Sequence, residues 1–216
     1  MANLVTFALV SFSAVFFVVD PFAVIPLFLS MTVRDSPAKR RATALRAAIV
    51  ATTTLLAFAV AGGFIFRMFG ITVGAFKIAG GTLLFGMALD MLRAQTSRTR
   101  TSPEEETEGI ERDEVAVIPL GIPMLAGPGS IATVTVLMGQ AGRSPARIAI
   151  VAGVVILTGV LTVALLRAST WIESKLRRTG LNILNRLMGL ILAAVAVQFI
   201  VDGIADVAPQ IAASIR

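Results

Sequence analysis

The chain has no cysteine, no histidine and no tyrosine, and only 15% of its 216 residues are charged. Soluble globular domains carry about 25% charged residues, so a soluble enzyme of this length is nearly excluded. Without cysteine and histidine there is no thiolate redox chemistry, no imidazole general base, no Ser-His-Asp or Cys-His nucleophilic site and no usual zinc ligand set. No cofactor and no metal are expected. What the chain has in abundance is apolar side chains, 56% of the total, with a mean hydropathy of +0.86. That balance indicates an all-α integral membrane protein, and the length suffices for about six spans of roughly 20 residues with short loops.

Apolar runs bounded by charge or turn residues fall at Leu4 to Ser30, Thr43 to Phe66, Gly74 to Leu92, Val115 to Gln140, Ile148 to Leu166 and Ile183 to Ile204. The first run carries no basic residue before Arg34, so it reads as a retained span rather than a cleaved signal peptide. Residues 1–92 form a first three-helix unit and 115–216 a second. Between them, residues 93–114 form a linker whose acidic stretch from Thr99 to Glu114 is too polar to pack. The net charge of +6 could suggest nucleic acid, but the basic residues lie between apolar blocks and aromatics are only 6%, so it reads as a topology signal. Fourteen of the 19 Lys and Arg residues fall in the first, third and fifth connectors or, as Arg46 and Arg186 do, within four residues of them, and five on the other side. The positive-inside rule then makes the odd connectors cytoplasmic and puts both termini outside.

The halves resemble each other. Ser36-Pro37-Ala38-Lys39 matches Ser144-Pro145-Ala146-Arg147, Lys77 with Gly80 matches Arg186 with Gly189, and Pro21 with Pro26 matches Pro123 with Pro128. Three spans per half means that the second unit enters the bilayer from the opposite face, an inverted repeat of the kind found in secondary transporters. The first and fourth spans are expected to be discontinuous. One contains Asp20-Pro21 and Pro26; the other reads Ile118-Pro119-Leu120-Gly121-Ile122-Pro123, then Ala126-Gly127-Pro128-Gly129-Ser130. Such breaks in hydrocarbon are costly unless they line a cavity. Counting residues places both breaks near mid-membrane, where the N-termini of two half-helices would converge on one spot suited to a carboxylate. Carbonyls at the preceding half-helix ends, with Asp20, suit an ammonium. A small zwitterion fits both, bound by Asp20, Pro21 and Phe22 at the first break and Ala126, Gly127, Pro128, Gly129 and Ser130 at the second, with Gln198 nearby.

The block Asp20 to Phe28, the block Pro119 to Ile131 and the stretch Met188 to Phe199 resemble the MarC family of bacterial inner-membrane proteins with six spans. The similarity extends over essentially the whole chain. It implies transport of small neutral amino acids such as glycine or alanine, coupled to protons. Asp20 is the deep titratable group available for that coupling, since no histidine exists and Gln198 does not titrate.

Plainer readings stand beside these. Asp20 could be only a helix cap, Gly127-Pro128-Gly129 only a packing kink, and Lys77 and Arg186 snorkelling side chains. Asp90 and Asp202 read as interfacial. Gln198 is divided between an interhelical hydrogen bond and the site. Gly70, Gly74, Gly80, Gly81 and Gly86 read as close-packing positions. An intramembrane enzyme is not expected, because Ser130 has no histidine to activate it and Asp20 no second deep aspartate. A channel or a non-transporting, stress-related membrane protein remains as the rival class.

Overall fold

The computed structural model describes residues 4–93 and 116–214; the acidic stretch of the linker lies outside them. Every regular element among the described residues is helical: α1 (Leu4–Val19), α2 (Pro21–Met31), α3 (Pro37–Phe69), α4 (Val73–Leu92), the irregular α5 (Ala116–Leu125), α6 (Pro128–Ala141), α7 (Pro145–Arg167) and α8 (Ser169–Ser214). Five stretches are long and apolar enough to cross a bilayer, and α5 with α6, bent by 56°, makes up to six.

Proline chemistry sets the interruptions. A residue that precedes proline is pushed out of the right-handed helical region. Asp20, before Pro21, sits at φ 46°. Ile118, before Pro119, and Ile122, before Pro123, are extended, as is Gly127 before Pro128. Pro21, Pro37, Pro128 and Pro145 each open a helix, where the missing N–H costs nothing. Pro26 and Pro209 lie inside α2 and α8 without ending them. The matched prolines also change register. The sequence pairs Pro21 with Pro123, but Pro21 and Pro128 are the residues that start the short half-helices.

Two boundaries differ from the hydropathy reading. Helix α3 begins at Pro37 rather than near Thr43. The fifth connector, expected over Arg167 to Asn182, shrinks to Ala168, since α8 starts at Ser169. At 46 residues α8 is about 69 Å long, over twice the hydrocarbon thickness. Its apolar stretch is Thr179–Pro209. Hydropathy finds what lies in lipid; Glu173, Lys175 and Leu176 are good helix formers that extend the helix beyond it.

Packing crosses between the halves. Helix α1 packs on α7 and α5 on α3; α2 meets α7 and α8 while α6 meets α3 and α4; α3 packs on α7, and α4 on α8. The α4–α8 seam is the most extensive contact and is set by small residues seven apart. A Cβ on Gly74 would meet Gly203 O at 3.1 Å, one on Gly81 would meet Ala196 O at 2.7 Å, and one on Gly189 would meet Ala88 O at 3.1 Å. Rising numbers on one helix meet falling numbers on the other, so the pair is antiparallel, with backbones close enough that only glycine fits at these positions. Gly80 is also tight, its Cβ position 3.1 Å from Ala132 Cβ. Gly86 faces open space, and Gly70 serves a turn at φ +65°.

Polar contacts tie the ends of the bundle. Arg40 Nη1 donates to Thr170 Oγ1 at 3.3 Å, so the α2–α3 and α7–α8 turns share one end. The Arg147 guanidinium lies 5.5 Å over the Phe7 ring and donates to Gln140 O at 3.5 Å, joining the start of α1 to the α6–α7 turn.

Candidate functional site

The first break is compact. Asp20 N–H still donates to Phe16 O at 2.9 Å, closing α1, and Asp20 Oδ1 accepts from Ala23 N–H at 3.3 Å, capping α2. The carboxylate is 1% exposed. Phe16 and Phe22 meet edge to face at 6.4 Å across the break, and Phe16 also stacks with Phe12. Pro21 is buried and Phe22 half-buried. The helix-cap reading of Asp20 therefore holds locally, with the residue enclosed by protein.

The second break is spread over ten residues of α5. Ala126 N–H donates to Gly121 O at 3.0 Å, a wider turn than an α-helix makes. Ser130 Oγ donates to Leu125 O at 3.0 Å, which satisfies a carbonyl next to the break. Gly127 caps α6 without a side chain, and a Cβ there would lie 2.6 Å from Pro123 O. Pro128 has no N–H, so the first-turn amides of α6 belong to Gly129 and Ser130. Those two residues are buried, whereas Pro128 is exposed. A Cβ on Gly129 would touch Leu84 Cδ2 at 2.7 Å, so α4 closes over this helix start. Thr133 Oγ1 and Thr135 Oγ1 donate back to Gly129 O and Ile131 O, which makes α6 buried yet internally satisfied.

Residues flanking both breaks share one buried apolar cluster: Val19, Val24 and Ile25 from the first, Leu125 and Ala126 from the second. Helix α1 packs on α6, and α2 on α5. The two amide-rich ends are not alike, however, because α2 is capped by its own carboxylate and α6 by nothing but backbone. Gln198 does not belong to that buried cluster. Its side chain is exposed on α8, and Nε2 donates to Asp202 Oδ1 at 2.6 Å within the same helix. Among the described residues no cluster of carboxylates is placed to hold a metal ion.

Two polar arrangements were not singled out by the sequence as sites. Lys77 is buried in the α4–α8 seam, and its Nζ pairs with Asp206 Oδ2 at 2.7 Å. In the seam register Lys77 lies level with residue 200, so the two side chains and their ion pair together bridge an offset of roughly 9 Å along the seam. Arg186, its sequence match, is exposed. Arg40, counted in the sequence as one of many topology charges, donates through Nη2 to Thr32 O at 2.9 Å, at the C-terminus of α2. The available signal was position: a cation one turn inside the helix that follows a short turn faces the carbonyls of the helix before it.

The comparisons with known proteins agree with this architecture. The family model described as "MarC family integral membrane protein" matches residues 5–208. A UPF0056 membrane protein of Methanocaldococcus jannaschii is 39% identical over 91% of this chain and 95% of its own length. The UPF0056 membrane protein YvbG of Bacillus subtilis is 38% identical over 92% and 94%, and YhcE of Escherichia coli 33% identical over 92% of each. No solved structure matches the chain. A multi-pass helical protein with the Pro-rich broken segment and close glycine seam described above, matched along nearly its whole length, belongs to the MarC family of integral membrane proteins.

Proposed function

We propose that the chain is a secondary transporter of small neutral amino acids such as glycine and alanine, coupled to protons, in the bacterial inner membrane with both termini outside. Its two three-span units are inverted repeats, and the first and fourth spans are discontinuous carriers of the site. The observation that carries this reading is the exchange of partners: α1 on α7 with α5 on α3, and α2 on α8 with α6 on α4. A two-fold axis in the membrane plane requires that swap, and it requires equivalent helices to cross antiparallel, as α4 and α8 do.

Within that frame the substrate ammonium lies toward Asp20 and the α1 carbonyl end. The carboxylate lies toward the uncapped amides of Gly129 and Ser130. Leu84 and Met87 of α4 cover Gly129, so α4 must shift for substrate to arrive or leave. The test is flux into proteoliposomes with a panel of amino acids, with and without a pH gradient. Accumulation of alanine or glycine driven by the gradient is the expected result. Gradient-independent leak of solutes would indicate a channel, and no flux of any amino acid a protein without transport activity; either outcome overturns the proposal.

A further inference from the structure

The end of the bundle that joins α2–α3 to α7–α8 contains donors that the protein does not use. Arg40 is half-buried. Its Nη2 holds Thr32 O and its Nη1 holds Thr170 Oγ1, but its Nε–H, shielded by the fold, has no acceptor among the described residues. Ser169, beside Thr170 in the first turn of α8, is completely buried, and its Oγ also has no partner there. The first-turn amides of α8 lie beside Thr170, which Arg40 contacts, and Ile172 N–H, on Ala168 O, is the first to make a helical bond. The carboxylate nearest in the chain, Asp35, pairs with Lys39 at 3.2 Å and leaves Arg40 unneutralised. One N–H of a guanidinium, a hydroxyl and a helix start without acceptors describe an anion site, not an internal ion pair.

We infer that Arg40, Ser169 and the first turn of α8 bind the phosphate of an anionic phospholipid headgroup. Phosphate chemistry follows from the donors. A lipid source follows from where they sit. The apolar span of α7 ends at Arg167, two residues before Ser169, so the cluster lies at the end of a span, where lipid headgroups meet such helices. Trp171, the next residue but one after Ser169, is 64% exposed, and indole rings favour the membrane–water boundary. Basic pockets between spanning helices recognise anionic headgroups in this way. The site lies away from both breaks and does not depend on what the protein transports.

The test is native mass spectrometry of the delipidated full-length protein titrated with phosphatidylglycerol, phosphatidylcholine or inorganic phosphate. Phosphatidylglycerol is expected to bind at least about fivefold more tightly than phosphatidylcholine. Arg40→Gln should lose that preference. Because Arg40 also holds Thr32 O, Ser169→Ala is the gentler variant, and a roughly tenfold weakening of phosphatidylglycerol binding is expected from it, the loss of one hydrogen bond to a charged group. Arg143→Gln, an exposed arginine outside this cluster, should leave binding unchanged. Equal binding of the two lipids, or wild-type phosphatidylglycerol binding in both Arg40→Gln and Ser169→Ala, overturns the assignment. Phosphate that matches the lipid in affinity overturns the lipid source and makes this a site for the free anion.

Discussion

At Asp20 the chain breaks over a single residue; at Gly127 it takes ten residues of α5 and three prolines to do so. The first break keeps its electrostatics local. A left-handed aspartate closes one helix with its N–H and caps the next with its carboxylate, so a formal charge sits where a helix N-terminus would otherwise attract an anion. The second break has no charge and no side-chain cap. It satisfies a carbonyl with Ser130 and leaves the amides at the start of α6 to themselves. The two interruptions thus carry opposite polarity: acceptors at one, donors at the other. The proposed zwitterionic substrate would use that difference.

The comparison breaks most completely at Asp20. Asn shares the tolerance of aspartate for the left-handed region and for the cap position, so Asp20→Asn is expected to leave the thermal midpoint of the detergent-solubilised protein close to that of wild type. Gradient-driven alanine flux should nevertheless vanish. Retained flux with an unchanged response to the pH gradient would reduce Asp20 to a cap and leave the coupling reading without its residue.

The opposite break is expected to fail through structure rather than charge. In Gly127→Ala the new methyl would stand 2.6 Å from Pro123 O. Backbone fixed by two flanking prolines cannot give way cheaply, so a loss of about 1–3 kcal/mol is expected from overpacking. Gly153→Ala, with nothing within 4 Å of the new methyl, is the matched control and should be neutral or slightly stabilising. Thermal denaturation followed by size-exclusion chromatography compares them directly. Similar behaviour of the two variants would mean that the Gly127 constraint is softer than its geometry indicates.

A smaller effect sharpens the same contrast. Ser130→Ala removes the donor to Leu125 O, which costs about 1 kcal/mol of stability. In transport it should weaken apparent alanine affinity several-fold while the maximal gradient-driven rate survives. That split between affinity and rate distinguishes a neutral contact from the coupling role proposed for Asp20. Loss of rate with unchanged affinity would place Ser130 in the coupling step instead.

Much of this was legible in the sequence for a physical reason: in a bilayer, apolar length and proline position are nearly sufficient to mark spans and breaks. The Asp20-Pro21 and Gly127-Pro128 steps announce themselves because the residue before proline cannot stay helical without strain. Register is harder. Pro123 and Pro128 are both candidates to match Pro21, and only the helix that actually begins at Pro128 chooses between them. Hydropathy likewise missed the first ten residues of α8, because helix length and lipid immersion are separate properties. Gln198 shows the remaining gap. A polar residue in an apolar run must find a partner, but the sequence does not say whether that partner is a site, another helix or, as here, Asp202 one turn away.

The α4–α8 seam supplies the mildest test, and it is decided by which partner is buried. Lys77 is 8% exposed at its side chain and Asp206 47%. Asp206→Asn therefore leaves an ammonium enclosed in the seam without its counter-charge, while Lys77→Met keeps the packed stem and leaves a carboxylate that water can reach. The expected order is a larger fall in thermal midpoint for Asp206→Asn than for Lys77→Met, with both modest because the pair opens to solvent on one side. The double variant should recover most of the difference, since an apolar stem opposite a neutral amide carries no buried charge. If Lys77→Met proved the costlier change, the pair would owe its contribution to the carboxylate's need for a cation. The seam would then be held by charge at its mouth, and the glycine contacts at Gly74, Gly81 and Gly189 would count for less than their close approach implies.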